Sequence, residues 1–338
     1  MQRCIKLAEK GLGKTFPNPL VGSVIVYKDN IIGEGWHQKA GSSHAEANAI
    51  SNVQNKEFLS KSTLYVSLEP CNHFGKTPPC SDLIIKNKIP RVVIASTDPN
   101  PLVAGKGIEK LKKAGCEVLV GVLKKEADFL NRRFFTFHNL KRPYIILKWA
   151  QTKNNFIAPI QKKTDNPEIF WITNNYSKQR VHKWRSEEAA ILVGVQTVIN
   201  DNPELTTREW TGNNPLRIVI DPNRRTPKNS KLFQDNIPTL FFTKDPIQLL
   251  PNKKEQKIVS PFSIKNILKE CYKLKIQSII IEGGLRTLEY FIKDNLWDEA
   301  RVFKTEKIIK TGIMAPELKK ISNQTEIYEG DILDIYFN

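Results

Sequence analysis

Residues 69–80, which read EPCNHFGKTPPC, follow a β-branched segment, residues 63–67, that predicts a strand. Earlier in the chain, His44-Ala45-Glu46 opens a segment with the pattern of a helix, residues 45–53. Cys71 follows the end of a predicted strand, and His44 stands at the start of a predicted helix. These positions indicate one site between a sheet and its helices. These two stretches decide the fold expected for the first half of the chain.

One histidine and two cysteines form a typical ligand set for zinc. Zinc binds imidazole and thiolate in a tetrahedral shell, and a catalytic zinc keeps its fourth position open for water. His44, Cys71 and Cys80 supply three ligands. Glu46 is placed to take a proton from that water and return it to a leaving amine. The pattern H-x-E with a later P-C-x-x-C is typical of zinc-dependent nucleobase deaminases. This chain departs from it, because an insert of eight residues separates Cys71 from Cys80. The alternative is two buried thiols beside an unrelated histidine, but the combination favours zinc.

Strands and helices alternate along the chain. In the first half we predict strands at residues 20–27, 31–36, 63–67, 91–95 and 117–121, and helices at residues 45–53, 81–87, 107–114 and 128–140. In the second half we predict strands at residues 144–149, 189–193, 216–221, 239–243 and 276–281, and polar loops at residues 222–231 and 245–254. Such alternation implies sheets covered by helices, and therefore an α/β fold. Because Lys141-Arg142-Pro143 breaks the last helix of the first half, we expect domains of residues 1–142 and 143–338.

Composition narrows the possible functions. The 338 residues suit two domains. The 52 basic and 35 acidic residues give a net charge of +17, which suits nucleic acid or small phosphorylated substrates. The lysines are scattered, however, as on an ordinary lysine-rich surface. No apolar run approaches the about 20 residues of a membrane span. The charges of Glu9 and Lys10 argue against a secretory signal, and five cysteines do not suggest a disulfide framework. We therefore expect a cytoplasmic protein without a membrane partner.

The insert between the two cysteines resembles that of one family, the bifunctional riboflavin-biosynthesis deaminase–reductases. The family patterns N-P-x-V-G, H-A-E and E-P-C-x-H-x-G-x-T-P-P-C stand here at residues 18–22, 44–46 and 69–80, and residues 98–101 and 105–107 match as well. The resemblance implies a cytidine-deaminase-like three-layer α/β/α domain that acts on a diaminopyrimidinone carrying phosphoribosylamine. It also implies which residues contact the base and the ribose phosphate: Asn18, His37, His73 and Lys76.

The second half exceeds what deamination needs, and it resembles the reductase half of the same family, which is similar to dihydrofolate reductase and uses NADPH. Glu282-Gly283-Gly284 stands between a predicted strand and a helix, where glycines let a phosphate approach backbone N–H groups. It is not the G-x-G-x-x-G pattern, so a standard Rossmann domain is not supported. The resemblance implies that the residues near NADPH are Ala150, Trp171, Thr197, Asp201 and Gly284. It implies that the residues near the substrate are Lys148, Arg185, Leu205, Arg208 and Glu282.

The chain departs from the family pattern K-x-A-x-S-L-D-G, which begins here at Lys148. Thr152 replaces the serine, Asn154 the aspartate and Asn155 the glycine. Threonine keeps the hydroxyl group, and asparagine tolerates a positive φ, but Asn154 cannot carry a negative charge. Because the cofactor carries the hydride and positioning dominates, we expect Asn154→Asp to change turnover little.

These inferences predict a two-step enzyme. It would deaminate 2,5-diamino-6-(5-phosphoribosylamino)pyrimidin-4(3H)-one to 5-amino-6-(5-phosphoribosylamino)uracil with zinc, and then reduce the ribose with NADPH, as a homo-oligomer without a nucleic-acid partner. One alternative is an RNA-editing deaminase, although the second half lacks the clustered basic and aromatic residues of RNA-binding modules. The other is a non-catalytic zinc protein, against which Glu46 argues because a structural zinc closes its fourth position.

Overall fold

The chain forms two compact units, Met1–Lys141 and Arg142–Asn338. The computed structural model describes residues 1–73, 78–101, 103–160, 170–246 and 254–338. Within these ranges, no helix combines the length and the apolar character that crossing a membrane requires.

The first unit is built on one five-stranded sheet. Its strands are β1 (Gly22–Tyr27), β2 (Asn30–Trp36), β3 (Thr63–Leu68), β4 (Arg91–Ser96) and β5 (Glu117–Val120). Its helices are α1 (Gln2–Glu9), α2 (Ala45–Ser51), α3 (Cys80–Lys86), α4 (Lys106–Lys113), α5 (Lys124–Leu130) and α6 (Arg132–Leu140), with a short 3₁₀ helix at Lys56–Lys61. The strand order is β2-β1-β3-β4-β5. β1 is antiparallel to β2 and β3, whereas β3, β4 and β5 are parallel.

Helices cover both faces of this sheet, because successive strand residues face opposite sides. Ile25 of β1 lies in a buried cluster with Ala49 of α2 and Ile84 of α3. Its neighbour Val24 lies in a different cluster with Leu7 of α1. The first unit is therefore the three-layer α/β/α arrangement that was expected.

The second unit contains a nine-stranded sheet and a small two-stranded one. The larger sheet is formed by β6 (Tyr144–Gln151), β8 (Ala190–Gly194), β9 (Leu216–Ile220), β10 (Thr239–Thr243), β11 (Lys254–Ile258), β12 (Ser278–Ile281), β13 (Glu299–Lys304), β15 (Gln324–Tyr328) and β16 (Asp331–Phe337). The smaller sheet pairs β7 (Phe156–Pro159) with β14 (Gly312–Met314). The helices are α7 (Asn175–Glu187), α8 (Val195–Asp201), α9 (Lys231–Gln234), α10 (Ile264–Lys273) and α11 (Leu285–Lys293).

The larger sheet is parallel over most of its width. Its order is β11-β10-β9-β8-β12-β6-β13-β16-β15, and the strands from β11 to β13 run parallel. β16 and β15 extend it in antiparallel fashion. Ile145 packs in the cluster that contains Phe291 of α11, whereas Ile146 packs with Trp184 of α7 on the other face. The α/β fold predicted for the chain is confirmed.

Two elements of the first unit differ from the sequence prediction. The hairpin between β1 and β2 turns at Lys28 and Asp29, both with positive φ, and β2 begins at Asn30, which pairs with Tyr27 one residue before the predicted start of the strand. The helix expected at residues 128–140 is two helices, α5 and α6, which meet at Asn131.

The break at Asn131 has a tertiary cause. The side-chain amide of Asn131 accepts a hydrogen bond from the backbone N–H of Leu20 and donates one to its carbonyl, each 2.8 Å long. Other elements that were not predicted are helix α1 and strands β7, β11 and β13 to β16.

Candidate active sites

Three elements of the first unit bring the predicted zinc ligands together. His44 directly precedes α2 in an extended conformation, Cys80 is the first residue of α3, and Cys71 follows β3. Nδ1 of His44 lies 3.5 Å from Sγ of Cys71 and 3.3 Å from Sγ of Cys80. The three ligand atoms lie within 4.8 Å of one another.

The donor set fits zinc. With Zn–S near 2.3 Å and Zn–N near 2.0 Å, a tetrahedral ion separates a nitrogen and a sulfur ligand by about 3.5 Å. Hydrogen bonding from Cys80 and His44 outweighs burial and lowers the pKa of the Cys71 thiol to about 4, and a thiolate is the form that binds metal. Among the described residues this cluster has three members. It therefore suits an ion that keeps one position for water.

Glu46 lies in the first turn of α2 and is only 2% exposed. It does not belong to the ligand cluster. Burial raises the pKa of its carboxyl group to about 7, and the neighbouring charge of Cys71 acts in the same direction. A group that titrates near neutral pH can both accept and release a proton, which is what general acid–base chemistry requires.

Helix α2 lies very close to β2. A Cβ atom added to Gly35 would lie 2.5 Å from the backbone nitrogen of Ala49, so only glycine permits this approach. The side-chain amide of Asn48 also donates to the carbonyl of Trp36 over 2.8 Å. These contacts fix the helix start that carries the predicted ligand and the predicted proton carrier.

Two predicted substrate residues of the first unit lie together beside His44. The amide of Asn18 lies 3.0 Å from Nε2 of His37, and Nδ1 of His37 lies 3.1 Å from the carbonyl of Ser43. Because an amide N–H only donates, Nε2 of His37 accepts and Nδ1 carries the proton. Burial lowers the pKa of His37, and its ring stands edge-on to that of His44 at 5.5 Å.

The other two predicted substrate residues belong to the insert between the cysteines. His73 is exposed, two residues after Cys71. Lys76 lies outside the described residues, so its contact with phosphate stays a prediction.

Glu69 holds the loop of residues 98–108 in place, a role that the sequence analysis did not predict. Its buried carboxylate accepts hydrogen bonds from the backbone N–H groups of Asp98 (3.2 Å), Gly105 (3.0 Å), Gly107 (3.0 Å) and Ile108 (3.3 Å). The sequence signal that could have identified it is an acidic residue between a strand end and a metal-binding cysteine. The carboxylate holds this loop against the segment that carries Cys71.

Three of the five predicted substrate residues of the second unit form one charge cluster, whose side chains are between 8% and 17% exposed. Nε and Nη2 of Arg185 each donate to a carboxylate oxygen of Glu282 over 2.8 Å, and Nζ of Lys148 lies 3.7 Å from the same carboxylate. Burial alone would raise the pKa of Glu282, but the charges of Arg185 and Lys148 outweigh it and lower that pKa to about 2. Burial lowers the pKa of Lys148. The carboxylate is therefore fully ionised at neutral pH.

The loop that follows α8 carries the other two predicted substrate residues. Leu205 has a positive φ, and its side chain is 3% exposed and packs in the core. Any contact between Leu205 and substrate would therefore fall to its backbone. Arg208 has a side chain that is 40% exposed, and its Nη1 lies 4.0 Å from a carboxylate oxygen of Glu204.

Two predicted cofactor residues meet at neighbouring strand ends. α8 follows β8, α11 follows β12, and these strands are adjacent in the sheet. Gly284 has a φ of 56°, and a Cβ atom there would lie 3.3 Å from Oγ1 of Thr197. A Cβ on Gly194 would lie 2.5 Å from Oγ1 of Thr287, so the two turns need glycine to pack. An exposed glycine at the start of α11 fits a phosphate group of a dinucleotide.

The remaining predicted cofactor residues are spread over three elements. Ala150 lies near the end of β6, and Asp201 is exposed at the end of α8. Trp171 precedes α7 and is 48% exposed, with Nζ of Lys178 4.3 Å from the centre of its ring.

Comparisons with known proteins match one family model to each half of the chain. The cytidine and deoxycytidylate deaminase zinc-binding region matches residues 1–96, and the RibD C-terminal domain matches residues 143–309. The riboflavin biosynthesis protein RibD of Aquifex aeolicus is 44% identical over 94% of this chain and 89% of that protein. The protein of the same name from Bacillus amyloliquefaciens is 38% identical over 94% and 86%.

A solved structure is similar over almost the whole chain. It is the crystal structure of a diaminohydroxyphosphoribosylaminopyrimidine deaminase/5-amino-6-(5-phosphoribosylamino)uracil reductase from Thermotoga maritima, with a TM-score of 0.89 and 36% identity. The match covers 99% of this chain and 96% of that one. The chain belongs to the RibD family of riboflavin biosynthesis proteins, in which a zinc-binding deaminase domain is joined to a reductase domain.

Proposed function

We propose that the chain performs two consecutive steps of riboflavin biosynthesis. It deaminates 2,5-diamino-6-(5-phosphoribosylamino)pyrimidin-4(3H)-one hydrolytically, and it then reduces the ribose of the resulting 5-amino-6-(5-phosphoribosylamino)uracil to a ribityl chain. The observation that carries this proposal is the three-ligand cluster of His44, Cys71 and Cys80 beside a buried carboxyl group, Glu46, that is not one of the ligands.

In the first unit, Nδ1 of His44 and the sulfur atoms of Cys71 and Cys80 would hold zinc, which when bound would lower the pKa of a water molecule. Glu46 takes a proton from the attacking water and returns it to the amino group. The oxygen of this water adds to the amino-bearing ring carbon, the C–N bond breaks, and ammonia leaves as the carbonyl of the uracil forms.

Asn18 and His37 orient the pyrimidine in this proposal. Nε2 of His37 accepts a hydrogen bond from the amide nitrogen of Asn18. This bond fixes the orientation of the amide, so that its oxygen faces the substrate and accepts a hydrogen bond from an amino group of the base. His73 and Lys76 bind the ribose phosphate, where a lysine acts as a point charge.

In the second unit, the ribose would be reduced at C1 in its open imine or aldehyde form, with NADPH as the source of the hydride. Thr197 in α8 and Gly284 before α11 would hold a phosphate group of the dinucleotide, while Ala150, Trp171 and Asp201 would line the rest of its site.

Charged side chains bind the substrate of the second step. Arg208 binds the ribose phosphate, Lys148 and Arg185 lie near the substrate, and Glu282 holds Arg185 in place. The backbone at Leu205 completes this site. The net charge of +17 suits a protein whose substrate and cofactor are both phosphorylated. The cytoplasmic location, the homo-oligomer and the absence of nucleic-acid and membrane partners stay predictions.

The test supplies the diaminopyrimidinone substrate with and without NADPH, and follows ammonia and NADPH separately. We expect one ammonia per substrate in both reactions, and one NADPH oxidised per ammonia when NADPH is present. No ammonia release by the zinc-loaded protein would exclude the proposed deamination.

A further inference from the structure

We infer that Asn154 is a positioning residue of the reductase and acts by bridging to the backbone of Ile309. This inference rests on the reductase function proposed above. The amide nitrogen of Asn154 donates to the carbonyl of Ile309 over 2.7 Å, and the backbone N–H of Ile309 donates to Oδ1 of Asn154 over 3.3 Å. The hydroxyl of Thr152 donates to the same oxygen over 2.9 Å. The side chain thus uses both its donor and its acceptor.

The bridge joins two segments that leave neighbouring parallel strands. Beyond β6 and β13, the backbone N–H of Thr305 donates to the carbonyl of Gln151 over 3.1 Å, and that of Lys153 donates to Lys307 over 2.9 Å. The contact between Asn154 and Ile309 follows next along the chain. The turn at residues 152–155 ends the backbone hydrogen bonds between these segments. The side chain of Asn154 therefore continues the pairing that the backbone no longer makes.

The two joined segments lead to two proposed cofactor residues. Ala150 lies just before the turn, on β6. From the other segment, Nζ of Lys307 donates to the carbonyl of Trp171 over 2.6 Å. Asn154 therefore adds a side-chain contact to the backbone pairing that holds the segment of Lys307, and through it Trp171, beside the strand that carries Ala150. We expect the distance between Trp171 and Ala150 to determine the affinity for NADPH. We do not expect it to change the hydride transfer, whose chemistry the cofactor supplies.

An aspartate at this position would lose the bridge. Its carboxylate accepts from the N–H of Ile309 but has no N–H to donate, and a charged oxygen would face the carbonyl oxygen of Ile309. Asn154 therefore fits this loop, and the departure from the family pattern has a structural reason. The sequence alone predicted little effect of Asn154→Asp; the two bonds to Ile309 lead us to expect weaker cofactor binding.

The test compares three variants of the full chain. Asn154→Asp removes the donor, and Asn154→Ser removes both bonds without adding a charge. Asn323→Asp is the matched control, because Asn323 Oδ1 accepts from the backbone N–H of Phe337 over 2.8 Å and an aspartate keeps that bond. NADPH binding is titrated directly, and KM for NADPH and kcat are measured with the deaminated substrate. Ammonia release reports on the other site of the same molecules.

We expect Kd and KM for NADPH to rise about tenfold in Asn154→Asp and by at least about threefold in Asn154→Ser. In both Asn154 variants, we expect kcat and the rate of ammonia release to stay within about twofold of those of the unsubstituted chain. In Asn323→Asp, we expect all four quantities, including Kd and KM for NADPH, to stay within the same range. Unchanged NADPH binding in both Asn154 variants would overturn the inference. Weakening in Asn154→Asp alone would also overturn it, because the added charge and not the lost bridge would be the cause. If the unsubstituted chain itself fails to bind NADPH, the proposed reductase function fails as well.

Discussion

Arg185 donates two hydrogen bonds, each 2.8 Å long, to the two carboxylate oxygens of Glu282. Arg185 lies in the last turn of α7 and Glu282 directly follows β12, and their side chains are 13% and 8% exposed. Nη1 of Arg185 also donates to the carbonyl of Thr206 over 3.0 Å. The pair therefore joins a helix, the sheet and the loop before Arg208 at the proposed substrate site.

This pair predicts how the stability of the second unit depends on pH. The neighbouring charges lower the pKa of Glu282 from 4.5 to about 2. A carboxyl group with a lowered folded-state pKa stabilises the fold fully above pH 4.5, and this contribution is lost as the pH falls towards 2. At about 1.4 kcal/mol per pH unit, the contribution is roughly 3 kcal/mol.

The substitution Glu282→Gln should remove this contribution. Its destabilisation relative to the unsubstituted chain should be largest at neutral pH and shrink between pH 4.5 and 2, as measured by denaturant unfolding at several pH values. Glu270→Gln, which breaks a more exposed ion pair with Lys273, is the control. If the difference in the free energy of unfolding between Glu282→Gln and the unsubstituted chain does not change with pH, the charge of Glu282 does not stabilise the fold.

Glu46→Gln should keep zinc and lose deamination. The carboxyl group is not a ligand, but the amide that replaces it cannot accept and return a proton. We expect ammonia release to fall by about 10²–10⁴, with zinc content and NADPH-dependent reduction of deaminated substrate unchanged. Metal analysis and the two activity assays measure these quantities on one preparation. Ammonia release near the normal rate would refute the role given to Glu46.

Glu69→Gln should loosen the loop that packs on the segment around Cys71. The amide keeps one acceptor oxygen, and its NH₂ group then faces backbone N–H donors. We expect a loss of about 2–4 kcal/mol in stability, because buried donors are left unpaired. Faster hydrogen exchange should appear at the amides of Gly105, Gly107 and Ile108.

The control for this variant is Glu117→Gln in the same unit. Glu117 is exposed and pairs with Arg91 over 3.1 Å, so its loss should change stability by less than about 0.5 kcal/mol. Equal exchange rates in the Glu69 and Glu117 variants would show that the four hydrogen bonds do not hold the loop.

The zinc cluster was predictable because each ligand lies in a short motif that can be recognised from neighbouring residues. His44 precedes a helix and Cys71 follows a strand, and both boundaries can be inferred from residue patterns. The strands of the first sheet were also predicted to within about two residues. The family motifs then implied the substrate, which residue chemistry alone left open between several classes of deaminase.

Other features depend on partners far away in the chain. Asn131 ends a helix because its amide pairs with Leu20, which lies 111 residues earlier. Asn154 was noticed only as a departure from a pattern, since its partner Ile309 lies 155 residues later. Strand β15 is largely polar and exposed, and only its pairing with β16 makes it a strand. No local pattern contains this information.

The central claim is that one chain holds two separate sites that act in order, and Cys71→Ser tests it most directly. The variant is given the diaminopyrimidinone substrate and, separately, the deaminated uracil compound, each with NADPH, while ammonia and NADPH are followed. We predict no ammonia and no NADPH oxidation with the first compound, but NADPH oxidation at the normal rate with the second. NADPH oxidation with the first compound, or its loss with the second in a folded protein, would contradict the account.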